Sequence, residues 1–237
     1  MRVAEGVEQL TDQGIVNWFL VETDDGLVAV DAGFPTAWRE MAPRAGELRA
    51  IVLTHAHIDH LGFAPIAQRE HGVPVYVPER DVGLAKHPLY YAKSERLPLI
   101  YAARYAPTRR VYWRGLRAVG TFGKTVRDPT PYREGDDLPG GLRAIFTPGH
   151  TKGHMALHLP ERDIVFAGDA VVTRDPYTDR TGPRLVARAA TWDSRVNLES
   201  LERIAATGAS TLVVGHGEPW RQGAAAAVAA AREAGAA

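Results

Sequence analysis

Along the first half of the chain, apolar residues fall in short runs separated by tight polar turns, a pattern that predicts strands. The runs NWFLVET (17–23) and GLVAVDAG (26–33) are rich in β-formers, and the Asp24-Asp25-Gly26 turn between them signals a hairpin. LRAIVLTH (48–55) is mostly apolar, as a strand in a sheet covered on both faces must be. HLGFAPIAQREHG (60–72) predicts a helix ending near Gly72, and VPVYVP (73–78) a further strand. In the second half, 142–149, 154–160 and 163–172 read as successive strands, 194–206 as a helix and 210–217 as the last strand. The alanine-rich tail from Gly223 has high helix propensity and predicts a closing helix. Two β-rich halves, each with helices, predict an α/β fold in which two sheets pack face to face with helices outside, a four-layer αββα sandwich. With no exact repeat and no Gly/Ser linker, residues 1–237 are expected to form a single domain.

A segment of different character lies between the halves, over residues 80–127. It carries Tyr90, Tyr91, Tyr101, Tyr105, Tyr112 and Trp113, and from Arg96 to Arg127 it contains basic residues but no acidic one. Its apolar spacing predicts two helices interrupted near Pro107, forming an insertion within the domain.

Composition narrows the function. The 237 residues suffice for one large core. No run approaches the ~20 apolar residues of a membrane span, and no basic segment leads into an apolar leader, so a cytoplasmic protein with no membrane partner is expected. Basic and acidic residues number 28 each, which gives no field to attract nucleic acid. Cysteine is absent, which removes disulfides, thiolate nucleophiles and thiolate metal ligands.

Histidine is where the chemistry concentrates. Residues 55–60, HAHIDH, hold three of the nine histidines and an aspartate. At the end of an extended strand, residues two apart point the same way, roughly 6.6 Å apart along the chain, so His55 and His57 can address one metal ion. Asp59 and His60 follow where the chain turns into a helix. A divalent ion held by imidazole and carboxylate suits this set, and its charge lowers the pKa of a bound water toward about 7. Further donors stand where apolar runs break: His150 in FTPGHTKGH, Asp169 in VFAGDAVV and His216 in LVVGHGEP. An unpaired carboxylate in an apolar strand is costly, so Asp169 needs a partner.

Together THAHIDH, TPGHTKGH, AGDA and VGHGEP, in that order over residues 54–219 and preceded by VAVDAG, resemble the metallo-β-lactamase superfamily of hydrolases, with the ligand set of glyoxalase II and of lactonases. The resemblance implies the superfamily's αββα sandwich with a helical lid. It implies that His55, His57 and His150 hold one metal and Asp59, His60 and His216 a second, with Asp169 bridging. The two ions, zinc first with iron or manganese as alternatives, would lie about 3.5–4 Å apart with a nucleophilic hydroxide between them, oriented by Asp59. Asp31 and His154 would orient ligands.

Departures from the subgroups refine the expectation. The absence of cysteine and the presence of Asp169 disfavour antibiotic hydrolysis. The alanine-rich tail lacks the basic residues with which glyoxalase II grips glutathione. Lactonases place a tyrosine where Val172 stands, and Tyr177 is the nearest substitute. The expected activity is hydrolysis of a small ester, thioester or lactone; the alternatives are phosphodiester cleavage at the same site and a mononuclear iron enzyme resembling persulfide dioxygenases. Arg109 and Arg110 in the insertion, with Tyr177, suit an anionic substrate with an apolar body. Small-molecule substrates, no nucleic acid and room for a homo-oligomer complete the expected partners.

Overall fold

In β3 (Val16–Thr23) and β4 (Gly26–Val30), successive side chains face opposite sides of a sheet, and both sides are buried. Trp18, Leu20, Leu27 and Ala29 face one side, where Phe63, Ala64 and Ala67 of the helix Ala64–His71 and its approach cover them. Phe19, Val21, Val28 and Val30 face the other side, against a second sheet. That sheet divides its residues the same way. Leu157 and Leu159 of β9 (Met155–Leu159), Phe166 of β10 (Ile164–Phe166) and Val213 of β13 (Thr211–Val213) point inward. Ala156, Val165 and Leu212 point out, under Leu201, Ile204, Ala227 and Val228 of the C-terminal helices. Phe19 and Phe166 meet edge to face across the interface, 5.2 Å between centroids. Each such buried Leu, Val or Phe contributes roughly 1.5–3 kcal/mol relative to exposure, so this alternation holds the sheets together.

This computed structural model describes residues 1–87, 104–119 and 125–235. The larger sheet has seven strands in the order β1 (Arg2–Ala4), β2 (Val7–Asp12), β3, β4, β5 (Leu48–Val52), β6 (Val75–Pro78) and β7 (Thr130–Tyr132). It is antiparallel up to β4 and parallel from β4 to β7. The smaller runs β13-β10-β9-β8, with β8 at Arg143–Phe146. Helices outside, sheets inside: the expected αββα layering is present.

The segmentation differs from expectation in places that matter. The run 163–172 is two strands in two sheets: β10, then β11 (Val172–Arg174), which pairs with β12 (Thr181–Arg184) as a hairpin. Asp169 therefore lies in the turn between them and not within a strand. The helix over 60–72 is two helices, Ile58–Leu61 and Ala64–His71, separated at Gly62. Gly72 does end the second one, in the left-handed conformation (φ 67°). Strands β1, β2 and β7 complete the sheet beyond the predicted ones. The expected interruption near Pro107 falls at Tyr105, between the helical Arg104 and the helix Ala106–Val119, and Pro107 stands in the first turn of that helix, where a missing N–H costs nothing. The remainder of the predicted helical pair, 88–103, and residues 120–124 lie outside the described residues. At the borders of 80–127, Ala85 and Val126 pack into the core of the larger sheet. Among the described residues no helix is long and apolar enough to cross a membrane.

Candidate metal centre

The segments that follow β4, β5, β10 and β13, with the β8–β9 connection, converge on one buried cluster. β5 ends at Val52, so His55 and His57 stand in an irregular loop beyond the strand. Backbone at His57 is nonetheless extended (φ −68°, ψ 156°), and the helix Ile58–Leu61 starts at once with Asp59 and His60. Asp31, at φ 59° just past β4, braces this loop. Its carboxylate accepts from the Thr54 N–H (2.8 Å) and hydroxyl (2.9 Å), and from His60 Nδ1 (2.9 Å). The Thr54 oxygen lies 3.0 Å from His55 Nδ1. With its proton given to Asp31, that oxygen accepts from Nδ1–H and leaves the Nε2 lone pair of His55 free for a ligand. The expected bracing role of Asp31 thus has a geometry.

From the other half come His150, Asp169 and His216. His150 follows the Pro148-Gly149 turn and brings Nε2 within 2.9 Å of His57 Nδ1 and 3.4 Å of Asp169 Oδ2. Asp169 Oδ1 is 3.5 Å from His60 Nε2, and its Oδ2 is 3.2 Å from His216 Nε2. His216 donates from Nδ1 to the carbonyl of Ile15 (2.7 Å), which aims Nε2 at Asp169 and at Asp59 Oδ2, 3.5 Å away. Three overlapping groups result: His55, His57 and His150; His55, His60 and Asp169; and Asp59, His60 and His216, with one donor atom per residue and all atoms of a group within 4.8 Å of one another.

His154 is different. The Asp169 N–H donates to its Nε2 (3.1 Å), and its Nδ1 lies 2.9 Å from the Thr147 hydroxyl. Both ring nitrogens are thereby used in holding the Asp169 backbone, and burial lowers its pKa to about 3, so the ring stays neutral. The residue orients Asp169.

The donor set fits divalent ions. His55 Nε2 is buried without a hydrogen-bond partner, and buried His60 Nε2 and Asp169 Oδ1 have only each other, 3.5 Å apart and short of a well-formed bond. Each such orphan costs about 1–3 kcal/mol, and a borderline-soft ion accepts imidazole nitrogen and carboxylate oxygen alike. Electrostatics agree. Burial lowers the pKa of His55 and of His150 far below the usual range, which keeps their lone pairs available. Burial also opposes the Asp169 anion, but His216 and His60 outweigh it and hold that carboxyl well below its ordinary range.

Burial acts against protonation of His60 and His216 as well. There the carboxylate of Asp169, with Asp31 and Asp59 beside His60 and Asp59 beside His216, wins and raises both. Without metal these rings hold their protons to a pH above 6.5, and an ion must displace them. Apparent metal affinity is therefore expected to weaken as pH falls, with the dependence persisting above pH 6.5. Calorimetric titration in two buffers of different ionisation enthalpy reads the released protons; no net release at neutral pH would contradict this account.

The expected substrate residues sit further out. Arg109 and Arg110 are exposed on the helix Ala106–Val119. Arg110 lines a shallow recess with Ile15, Pro107, Arg174 and Asp179, next to the carbonyl that holds His216. Thr108 fastens this helix by donating to the carbonyl of Tyr177 (2.8 Å). Tyr177 itself packs on Val172, Val186 and Ala190. Two polar residues absent from the sequence reading, Asp81 and Asn17, tie the loops together through backbone groups.

A His/Asp cluster at the edge of an αββα sandwich, with orphaned donors suited to divalent ions, defines a metal-dependent class of protein. The chain belongs to the metallo-beta-lactamase superfamily, whose family model matches residues 11–216. Among curated proteins it is 28% identical to a probable metallo-hydrolase, YflN, of Bacillus subtilis (strain 168), over 91% of this chain and 85% of the relative. Among solved structures, the metallo-beta-lactamase family protein TTHA1429 from Thermus thermophilus shares the fold with a TM-score of 0.69 at 22% identity, covering 98% of this chain and 79% of that one. TTHA1623, solved in a di-iron-bound form, is 26% identical with a TM-score of 0.59, covering 91% and 93%.

Proposed function

We propose that this chain is a dinuclear metal-dependent hydrolase acting on a small ester, thioester or lactone. The observation that carries the reading is the convergence of seven buried or nearly buried side chains into three overlapping donor groups. On this reading His55, His57 and His150 hold one ion, Asp59, His60 and His216 the other, and Asp169 serves both. The presence of the Asp59–His60–His216 group favours two ions over a mononuclear iron site. The metallo-hydrolase name of the Bacillus relative supports the reaction class, and the di-iron form of TTHA1623 keeps iron beside zinc and manganese as an occupant.

When bound, the ions would supply Lewis acidity to the acyl oxygen and a lowered pKa to the attacking water. The chain's own residues do the rest. Asp59 has 15% of its side chain exposed while the His216 side chain beside it has 3%, which places the aspartate at the open side of the cluster. There its carboxylate accepts a hydrogen bond from the water and orients it toward the carbonyl carbon. Burial of His55, His57, His60 and His150 keeps bulk water away from the rest of the cluster.

Metal-stripped protein titrated with zinc, iron(II) or manganese tests the reading. An ion at a hundred times its Kd adds about 2.7 kcal/mol per site, or roughly 5–10 °C in Tm for a chain of this size. The loaded enzyme should turn over members of an ester, thioester and lactone panel. Binding of a single iron, or turnover of phosphodiesters alone, would overturn the acyl-hydrolase assignment.

The same reading makes residues 80–127 an insertion over a single domain that recognises an anionic substrate through Arg109 and Arg110, with Tyr177 on the adjoining loop. Replacing Arg109 and Arg110 by alanine should raise KM for acidic substrates about tenfold, given ~1.5 kcal/mol for a charge-assisted hydrogen bond, at unchanged metal content. Equal KM shifts for acidic and neutral esters would discard the recognition role.

A further inference from the structure

Asp81 is a buried carboxylate with no place in the donor groups. It follows β6 and immediately precedes the helix Val82–Lys86, and it is 3% exposed. Its Oδ1 accepts the Gly153 N–H (2.9 Å), and its Oδ2 accepts the Thr151 hydroxyl (2.7 Å) and the Ala56 N–H (3.3 Å). Ala56 stands between His55 and His57; Thr151 follows His150. One side chain therefore clamps the two loops that bring His55, His57 and His150 together.

The opposite half of the cluster has its own clamp. Asn17 of β3 donates to the carbonyls of Val214 (2.9 Å) and Gly217 (2.7 Å), on both sides of His216, while its oxygen accepts from Thr11 (2.8 Å). Asp81 and Asn17 have no partner in common among these bonds.

We propose that Asp81 is a positioning residue that sets the metal affinity of the His55–His57–His150 site without serving the Asp59–His60–His216 site, which Asn17 holds. The inference rests on the ligand assignment above. The three donors need a carboxylate, since an amide has one acceptor oxygen and would turn its own N–H toward a donor.

The test is titration of the metal-stripped full chain with cobalt(II), followed by visible absorption and calorimetry, together with the Tm of the stripped protein. Asp81→Asn should weaken one of the two binding events 10–100-fold, the usual cost of losing an outer partner, and leave the other within about threefold. Asn17→Ala should weaken the other event instead. In a His150→Ala background, Asp81→Asn should change nothing further in the remaining event. Should Asp81→Asn not fold, Thr151→Val removes the 2.7 Å bond alone and Thr151→Ser restores it. A lower Tm with both affinities unchanged, or both weakened equally, would overturn the inference and leave the hydrolase reading standing. Wild-type protein that binds no divalent ion would overturn both.

Discussion

Replacing Asp169 by alanine is expected to lower hydrolytic turnover by more than about a hundredfold and to leave the protein short of metal. The loss of an outer partner alone typically costs 10–100-fold in affinity or activity. Asp169 stands nearer the centre than that: its two oxygens lie within 3.5 Å of His60, His150 and His216. Stability should change as well. A carboxyl held below its unfolded value stabilises the fold above that value, so its removal is felt throughout the neutral range. The raised values of His60 and His216 depend on the same charge, and the stability they contribute at acid pH, which is lost as pH rises through their folded values, would go with it. Metal analysis, turnover and the Tm of the stripped variant at pH 6 and 8 check the three parts. An alanine variant with full metal content and less than a tenfold loss of turnover would remove Asp169 from the centre of the mechanism.

What the sequence reveals and what it hides follow from the range of the interactions involved. His55, His57, Asp59 and His60 are legible because donor chemistry needs particular residue types at short spacing, and spacing survives the loop that replaces the expected strand end. Asp169 is legible as a carboxylate in an apolar stretch, yet its element is not. Residues 163–172 are apolar nearly throughout, and composition does not mark where a chain leaves one sheet for another hairpin. β2 is hidden for the opposite reason: Glu8, Gln9, Thr11 and Asp12 make it look like a loop, and it exists by pairing residue for residue with β3. Asp81 and Asn17 are illegible in a stronger sense. Most of their partners are backbone groups, N–H donors to Asp81 and carbonyl acceptors from Asn17, as far as 72 and 200 positions away, and a backbone group carries no residue code. His154 lies between these cases, since its closeness to His150 suggests an orienting role while the two hydrogen bonds that define it depend on the fold.

Gly62→Ala is expected to be severely destabilising. A Cβ there would lie 1.9 Å from the carbonyl oxygen of Gly33 and 2.5 Å from that of Ala32, both backbone atoms that cannot rotate aside. The turn that carries Asp31 presses against the helix that carries Asp59 and His60, and it is tied to it by Ala32 N–H to His60 O (2.8 Å) and Phe63 N–H to Ala32 O (3.2 Å). Making room means moving the two segments apart by roughly an ångström or more, which breaks those bonds and the 2.9 Å contact between Asp31 and His60. A clash of this kind costs about 4 kcal/mol or more, or a fall in Tm of roughly 8–16 °C. Gly72→Ala is the control. Gly72 is left-handed, but nothing stands within 4 Å of its Cβ position, so only the conformational cost of about 1–2 kcal/mol applies. Thermal unfolding of both stripped variants separates the effects. If Gly62→Ala melted no lower than Gly72→Ala, the close packing of the Asp31 turn on the helix of Asp59 and His60 could not be what holds His60 in place.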